Sequence, residues 1–255
     1  MKKATLKRIG IGVAVAAFWL LLWSLLAWAI HKELLLPYPW TVAKTLCQLC
    51  LTLPFWNSVL LTLLRIVVGF FAAAVCGTLL AVLTTRFQLA RRLFYPLITV
   101  IRATPVASFI ILIWIGLGSG KLPVFICFLM VLPIIWAAVS DGISAFDVKL
   151  VQVCDVFRLP FGKRLRYLYI PTVLPYFLSA CKTSIGMAWK AGVAAEVLAV
   201  TQNSIGKQLY NTKLYLETDE LFAWTAVVIL LSLAIEKMTQ GLIARLGRRR
   251  TYAES

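Results

Sequence analysis

Histidine and carboxylates are scarce in this chain. One histidine, His31, stands among 255 residues, and 10 residues are Asp or Glu against 26 Lys or Arg. A metal site built from several imidazoles is therefore excluded, and neither a metal nor a cofactor is expected. Clustered carboxylates for general acid–base work are missing too, so a membrane-embedded enzyme would lack a catalytic constellation. A nucleotide loop of the form G-x-x-x-x-G-K-[ST] is not found. GSGKL at Gly118 comes nearest, but Ile115 stands where the first glycine belongs, and Leu122 follows Lys121. That stretch is also expected in an outer loop. The chain is not expected to bind ATP itself. Ten-residue segments of alternating polarity, the signature of a membrane β-barrel, are absent. So is an internal repeat of the kind that marks many secondary transporters. Six cysteines are scattered along the chain, and the Cys47-x-x-Cys50 pair has no second pair or histidines beside it. They read as small packing residues.

What the chain has in quantity is apolar surface. Hydrophobic residues make up 61% and charged residues 14%, where soluble domains have about 45–50% and about 25%. That composition is expected of an integral membrane protein. The net charge of +16 is carried in short clusters between apolar runs. This is the pattern of membrane topology rather than of a phosphate-binding surface, so no nucleic-acid partner is expected.

Six apolar stretches are long enough to span a bilayer: Gly10 to Ile30, Ser58 to Thr84, Leu93 to Gly116, Leu122 to Ile143, Tyr169 to Val200 and Leu221 to Gly241. The first covers roughly 31 Å as a helix, against a hydrocarbon core of about 30 Å. It is too long for a signal peptide and is read as a retained helix. If the N-terminus is inside, sixteen Lys and Arg lie on inner segments, among them Lys2, Arg86, Arg91, Lys163 and Arg248. The outer segments then hold five: Lys32, Lys44, Lys121, Lys207 and Lys213. The positive-inside rule places both termini in the cytoplasm. The fold expected is an all-α integral membrane protein with six transmembrane helices. Outside the spans, Pro39 to Leu53 is expected as a short helix along the outer interface, and Gln202 to Leu216 as a polar lid or contact loop.

The inner segment between spans four and five is unusual. Val148, Val151, Val153, Val156 and Phe157 alternate with Lys149, Gln152, Asp155 and Arg158 in a helical pattern. Pro160 should end that helix. A second begins at Phe161 with Lys163, Arg164 and Arg166 in its first turns, and Pro171 and Pro175 bracket the return into the membrane. A basic helix here can rest on anionic lipid heads or dock a cytoplasmic partner.

These residues resemble the permease subunit of a type I ABC importer, of the nitrate/sulfonate/taurine kind. Anchored on Pro171, the family signature E-A-A, three residues, G, nine residues, I-x-L-P falls on Gln152, Val153, Cys154, Arg158 and Leu168 to Pro171. The spacing holds while most identities differ. Arg158 takes the place of the glycine, and Gly162 is expected to supply the turn. The sequence LLPYPWTVAKTL resembles the family's leading segment, and the second span carries Arg65 and Gly69 in place. YPLITVIRATP resembles the third-span motif, and the fifth span matches through Gly186, Trp189 and Ala194, Ala195 and Glu196. The resemblance covers roughly Leu36 to Lys237.

The resemblance implies an N-terminal helix (1–35), a five-helix transmembrane core (54–241) and a basic cytoplasmic tail (242–255), in a bacterial plasma membrane. It implies a cytoplasmic ABC ATPase that pushes on a coupling helix made of Gln152, Val153, Cys154, Asp155, Phe157, Arg158, Gly162 and Pro171. It also implies an outer solute-binding protein and a permease homodimer around one pathway. Taurine, sulfonates, nitrate, and pyrimidine or other small organic compounds all fit as solutes. The alternative class is an ATP-independent secondary transporter or channel.

Charges inside the spans bear on the pathway. A mid-bilayer charge costs on the order of 3 kcal/mol on insertion scales, so it usually faces protein or water. Arg65 and Lys182 lie near span ends, where snorkelling is the simple expectation. Arg102 lies deeper, just before a kink expected at Pro105. Lys190 and Glu196 are six residues apart and should not meet on one helical face. Each needs another partner, a cavity or a second subunit. Gly186 and Gly192 flank Lys190 and permit close helix approach. Arg102, Lys190 and Glu196 are therefore the pathway candidates, with structural pairing as the competing role, and an anionic solute suits the lysine.

Overall fold

Prolines and one glycine cut the apolar chain into its elements. The computed structural model describes residues 2–251, and side chains throughout except those of 2–9, 148 and 244–251. Helix α1 spans Lys2–Ile30, α2 Pro39–Cys50, α3 Leu53–Arg86, α4 Gln88–Ala103 and α5 Val106–Ser144. Two short helices follow, α6 at Val148–Val156 and α7 at Phe161–Arg164. A π-helical turn, Leu165–Tyr169, leads into α8 at Ile170–Leu198, and α9 (Ile205–Leu214) and α10 (Thr218–Thr251) complete the chain. Among the described residues there is no strand.

Pro39 and Pro54 sit in the first turns of α2 and α3, where a missing N–H costs nothing, and Pro171 follows the π turn at the start of α8. Pro171 also accounts for the π turn before it. Its ring crowds the carbonyl four residues back and offers that carbonyl no donor, and a wider turn relieves both.

Four helices are long and apolar enough to cross a membrane, within Gly10–Ile30, Leu53–Arg86, Val106–Ser144 and Thr218–Ile243. Two of the six expected stretches differ. The stretch Leu93 to Gly116 is not one helix. Thr104 is extended (ψ 130°) and Pro105 caps the next helix, so a complete break replaces the expected kink. The residue before a proline is driven from helical geometry. Conversely, the outer loop expected around Gly118 is helical on both sides of a single residue. Gly118 alone departs, at φ 70° and ψ 169°, a conformation closed to residues with a Cβ. Helix α8 is 29 residues long, about 43 Å at helical rise, but Lys182, Lys190 and Glu196 lower its hydropathy. The segment Gln202 to Leu216, expected as a polar lid or contact loop, holds α9, and Pro39 to Leu53 holds α2 and ends at the first residue of α3.

Helices α3, α5 and α8 make the core. Gly69, Ala73, Gly77 and Ala81 recur every fourth residue on α3, and all are buried. This small-residue stripe faces α5 so closely that a Cβ on Gly69 would lie 2.8 Å from Cys127 Cβ, and one on Gly77 would lie 3.1 Å from Ile135 Cβ. Helix α8 answers with Ala180, Ser184, Ala188 and Gly192, also buried. A Cβ on Gly192 would meet Ile66 Cγ1 at 2.7 Å and Cys127 Sγ at 2.8 Å. In lipid, where burying apolar surface against protein gains little over burying it in tails, such close backbone approach is a main source of association.

The remaining helices attach by polar ties. Trp189 Nε1 of α8 donates to Val228 O of α10 at 3.1 Å. Thr45 of α2 donates to Asp219 Oδ2 of α10 at 3.0 Å, and Thr218 donates to Leu34 O at 2.7 Å. Helix α1 stands at the side. Only 6% of its apolar stretch is buried; Ala27 is covered, and Trp23 donates to Pro37 O at 3.1 Å and lies beside Phe222.

Candidate functional site

Two clusters gather the residues singled out in the sequence. The first is the apex between α6 and α7. Asp147 caps α6, its carboxylate accepting from Lys149 N at 2.8 Å, as expected of an Asp N-cap. At the other end Phe157 is the C-cap and Arg158 follows at φ 47°. Arg158 N donates to Asp155 O and Leu159 N to Cys154 O, both at 3.0 Å. This is the Schellman pattern that normally closes on glycine. Gly162, expected to supply the turn, lies inside α7, and Arg158 itself makes the reversal. Pro160 then caps α7 with extended geometry.

Arg164 fastens this turn. Its Nε donates to Leu159 O at 2.8 Å, its Nη2 to Cys154 O at 3.1 Å and its Nη1 to Asp155 Oδ1 at 2.5 Å. A guanidinium suits the task because its donors are fixed in one plane. Of the expected coupling residues, Gln152, Val153, Asp155, Phe157 and Arg158 are exposed and Cys154 is half-buried. Pro171 lies in the first turn of α8, beyond the π turn. Val156, Phe157 and Phe161 are 79%, 72% and 71% exposed, which is unusual for large apolar side chains beside a tightly bonded turn.

The second cluster lies at the junction of α3, α8 and α9. Glu196 is wholly buried, with 0% exposure. Thr62 Oγ1 donates to Glu196 Oε2 at 2.8 Å and Arg65 Nη1 to Oε1 at 3.1 Å. Gly206 N, in the first turn of α9, donates to Oε2 at 3.4 Å. The Thr62 hydroxyl in turn accepts from Ile205 N at 3.0 Å. Arg65 reaches further, donating to Asn203 O at 3.2 Å and Gln202 O at 3.0 Å. One carboxylate thus satisfies a cation, a hydroxyl and the start of α9. Arg65, expected to snorkel, is an ion-pair partner instead, because the packing of α3 against α8 brings it to Glu196. Glu196 takes the structural pairing that competed with a pathway role.

Lys190 and Arg102 are placed differently. Both are exposed on the surface of the chain, and among the described residues no ion pair involves either. Lys190 shares one stripe of α8 with Lys182, Met187, Ala194 and Leu198, all exposed. Arg102 ends α4 at the break before α5. The flanking glycines serve other contacts. Gly192 faces α3 and α5, and a Cβ on Gly186 would lie 2.9 Å from Glu236 Oε1 of α10.

A groove of about 1000 Å³ opens between α3, α8 and α10, lined by Phe70, Ala74, Phe177, Ile185 and Met238 among others. Its hydroxyls are engaged with their own helices, Thr78 with Ala74 O and Thr239 with Ile235 O. It therefore offers a polar solute little, and the charged residues lie elsewhere.

Residues 66–252 match the family described as "Binding-protein-dependent transport system inner membrane component". The chain is 22% identical over 231 residues to the taurine transport system permease protein TauC of Escherichia coli (strain K12), covering 88% of this chain and 83% of that protein. It is 22% identical over 253 residues to the putative aliphatic sulfonates transport permease protein SsuC of Bacillus subtilis (strain 168), covering 97% and 90%. The fold is similar to a chain of the MetNI methionine ABC transporter in inward-facing conformations, with a TM-score of 0.57 at 15% identity, covering 82% of this chain and 97% of that one.

Proposed function

The chain belongs to the family of binding-protein-dependent transport system inner membrane components, and on that premise we propose that it is the membrane-spanning permease subunit of an ATP-driven importer. In this reading it forms the pathway for a small anionic organic solute, and a separate cytoplasmic ATPase does the hydrolysis. An outer solute-binding protein delivers the solute. Two copies of the chain enclose the path, because three core helices sealed backbone to backbone leave no channel within one copy.

The observation that carries the reading is the apex. Its apolar side chains Val156, Phe157 and Phe161 stand out from a turn that Arg164 and Asp155 hold rigid. A fixed turn with exposed aromatic residues is suited to seat in a partner's groove and to transmit force, since little of the push is lost in bending it. The short helix α6, with Gln152, Val153 and Cys154, and the continuous run from α7 through the π turn and Pro171 into α8 would pass that force to the core. Six spans with both termini in the cytoplasm place this apex inside, with α4 and the first half of α5 together making the third crossing. The division into an N-terminal helix, a core from 54 to 241 and a basic tail fits the separate position of α1. The tail's side chains from 244 onward and residues 252–255 lie outside the described residues.

Lys190 and Arg102 support an anionic solute. An exposed cation within an apolar stripe needs water, lipid heads or an anion to offset its desolvation. The relatives named for taurine and aliphatic sulfonates carry the same chemistry in their names. The direct test is purification of the tagged chain with its ATPase from native membranes. Phe157→Ala combined with Phe161→Ala should abolish co-purification and solute-stimulated ATP hydrolysis. A doubly substituted chain that retains both would overturn the placement of the contact.

A further inference from the structure

Arg158 occupies a backbone conformation, φ 47°, that penalises any residue with a Cβ and that glycine takes freely. Its side chain returns nothing within the chain. The guanidinium is exposed, and among the described residues no hydrogen bond or ion pair holds it. The nearby carboxylates are already engaged, Asp147 with the amide of Lys149 and Asp155 with Arg164. What the apex presents is an apolar knob of Phe157 and Phe161 with a cationic rim. Residues kept in disfavoured backbone regions cluster where the surroundings use them.

We infer that Arg158 is a specificity residue of the ATPase contact, fitting a groove with an apolar floor and a carboxylate on its rim. This rests on the reading of the apex as that contact. A lipid surface rewards any mobile lysine or arginine near it and has no need of one locked in a strained turn. A single carboxylate at a fixed place does reward it, through two parallel hydrogen bonds to the planar fork. The arrangement therefore favours a protein partner over anionic headgroups. It also explains how the chain would discriminate among ATPases, since a groove without the carboxylate would leave a cation buried and unpaired.

The test uses the full chain in nanodiscs and the purified ATPase subunit that co-purifies with it. Dissociation constants are measured at about 50 and about 300 mM salt, which spans weak to strong screening. In phosphatidylcholine discs Arg158→Gly should raise Kd about tenfold or more at low salt and flatten the salt dependence, as loss of a charge-assisted pair predicts. Arg158→Lys should fall between. Arg158→Glu should be worse than Arg158→Gly and recover when one groove-rim carboxylate of the ATPase is changed to lysine. Because glycine relieves the turn, misfolding does not confound the first variant. Unchanged Kd and salt slope in Arg158→Gly, with weakened binding in Phe157→Ala, overturns this inference and leaves the ATPase contact standing. Unchanged Kd in both variants removes the contact itself. An effect of Arg158→Gly seen only in discs containing phosphatidylglycerol makes lipid the partner and overturns the inference as well.

Discussion

Removing Arg65 should harm the chain more than its partly exposed position suggests, and removing Glu196 with it should cost less than the two losses added. Arg65 has 17% of its side chain exposed and Glu196 none. Breaking a buried pair from one side costs about 3–5 kcal/mol, because the remaining charge is left uncompensated. Here the low end applies, since Thr62 and Gly206 still donate to the carboxylate. Arg65→Ala also forfeits two bonds to the carbonyls of Gln202 and Asn203, about 1 kcal/mol each. The total for Arg65→Ala is then about 5 kcal/mol. Glu196→Ala should cost less, because Arg65 can turn to water and keeps its carbonyl partners. The double variant should fall short of the sum by about 2 kcal/mol, within the range of coupling energies for contacting residues. The assay is a double-mutant cycle on reversible unfolding of the detergent-solubilised chain, titrated with a denaturing detergent. Additivity within about 0.5 kcal/mol would show that the two side chains do not depend on each other, and the reasoning about the buried carboxylate would fail.

Two further outcomes are expected. Gly192→Ala should destabilise the bundle by about 1–3 kcal/mol through overpacking, since the new methyl would overlap Ile66 and Cys127, and the same unfolding titration reads it. Lys190→Met should depress uptake of a labelled sulfonate while Lys190→Arg keeps most of it, and wild-type rates in both would reject a role for the charge.

Much of the architecture was legible because composition alone drives it. Helices α1, α3 and α10 follow from uninterrupted apolar runs, and α2 from a Pro-Tyr-Pro turn before a mixed segment. The break at Pro105 was partly legible, since proline marks the place, but whether a helix bends or parts there depends on what packs beside it. Gly118 was expected in a loop because it falls between two apolar stretches, yet the residues on both sides of it are helical. At the apex, spacing located the turn, and the four-residue offset to Gly162 misled because a Schellman closure can be forced on arginine when Arg164 secures it. Arg65 and Glu196 were separately visible as charges in spans. Their pairing was not, since they are 131 residues apart. Depth would have revealed it. In the expected topology Arg65 lies seven residues in from the outer start of its stretch and Glu196 four from the outer end of its own, about 10 Å and about 6 Å at helical rise.

The every-fourth-residue stripe on α3 has a mechanical corollary. Along it the bare Cα atoms of Gly69 and Gly77 stand against the side chains of Cys127 and Ile135, so a shift of α3 along α5 would bring bulkier neighbours into those gaps. A displacement applied to one of the two helices is then expected to be shared by the other.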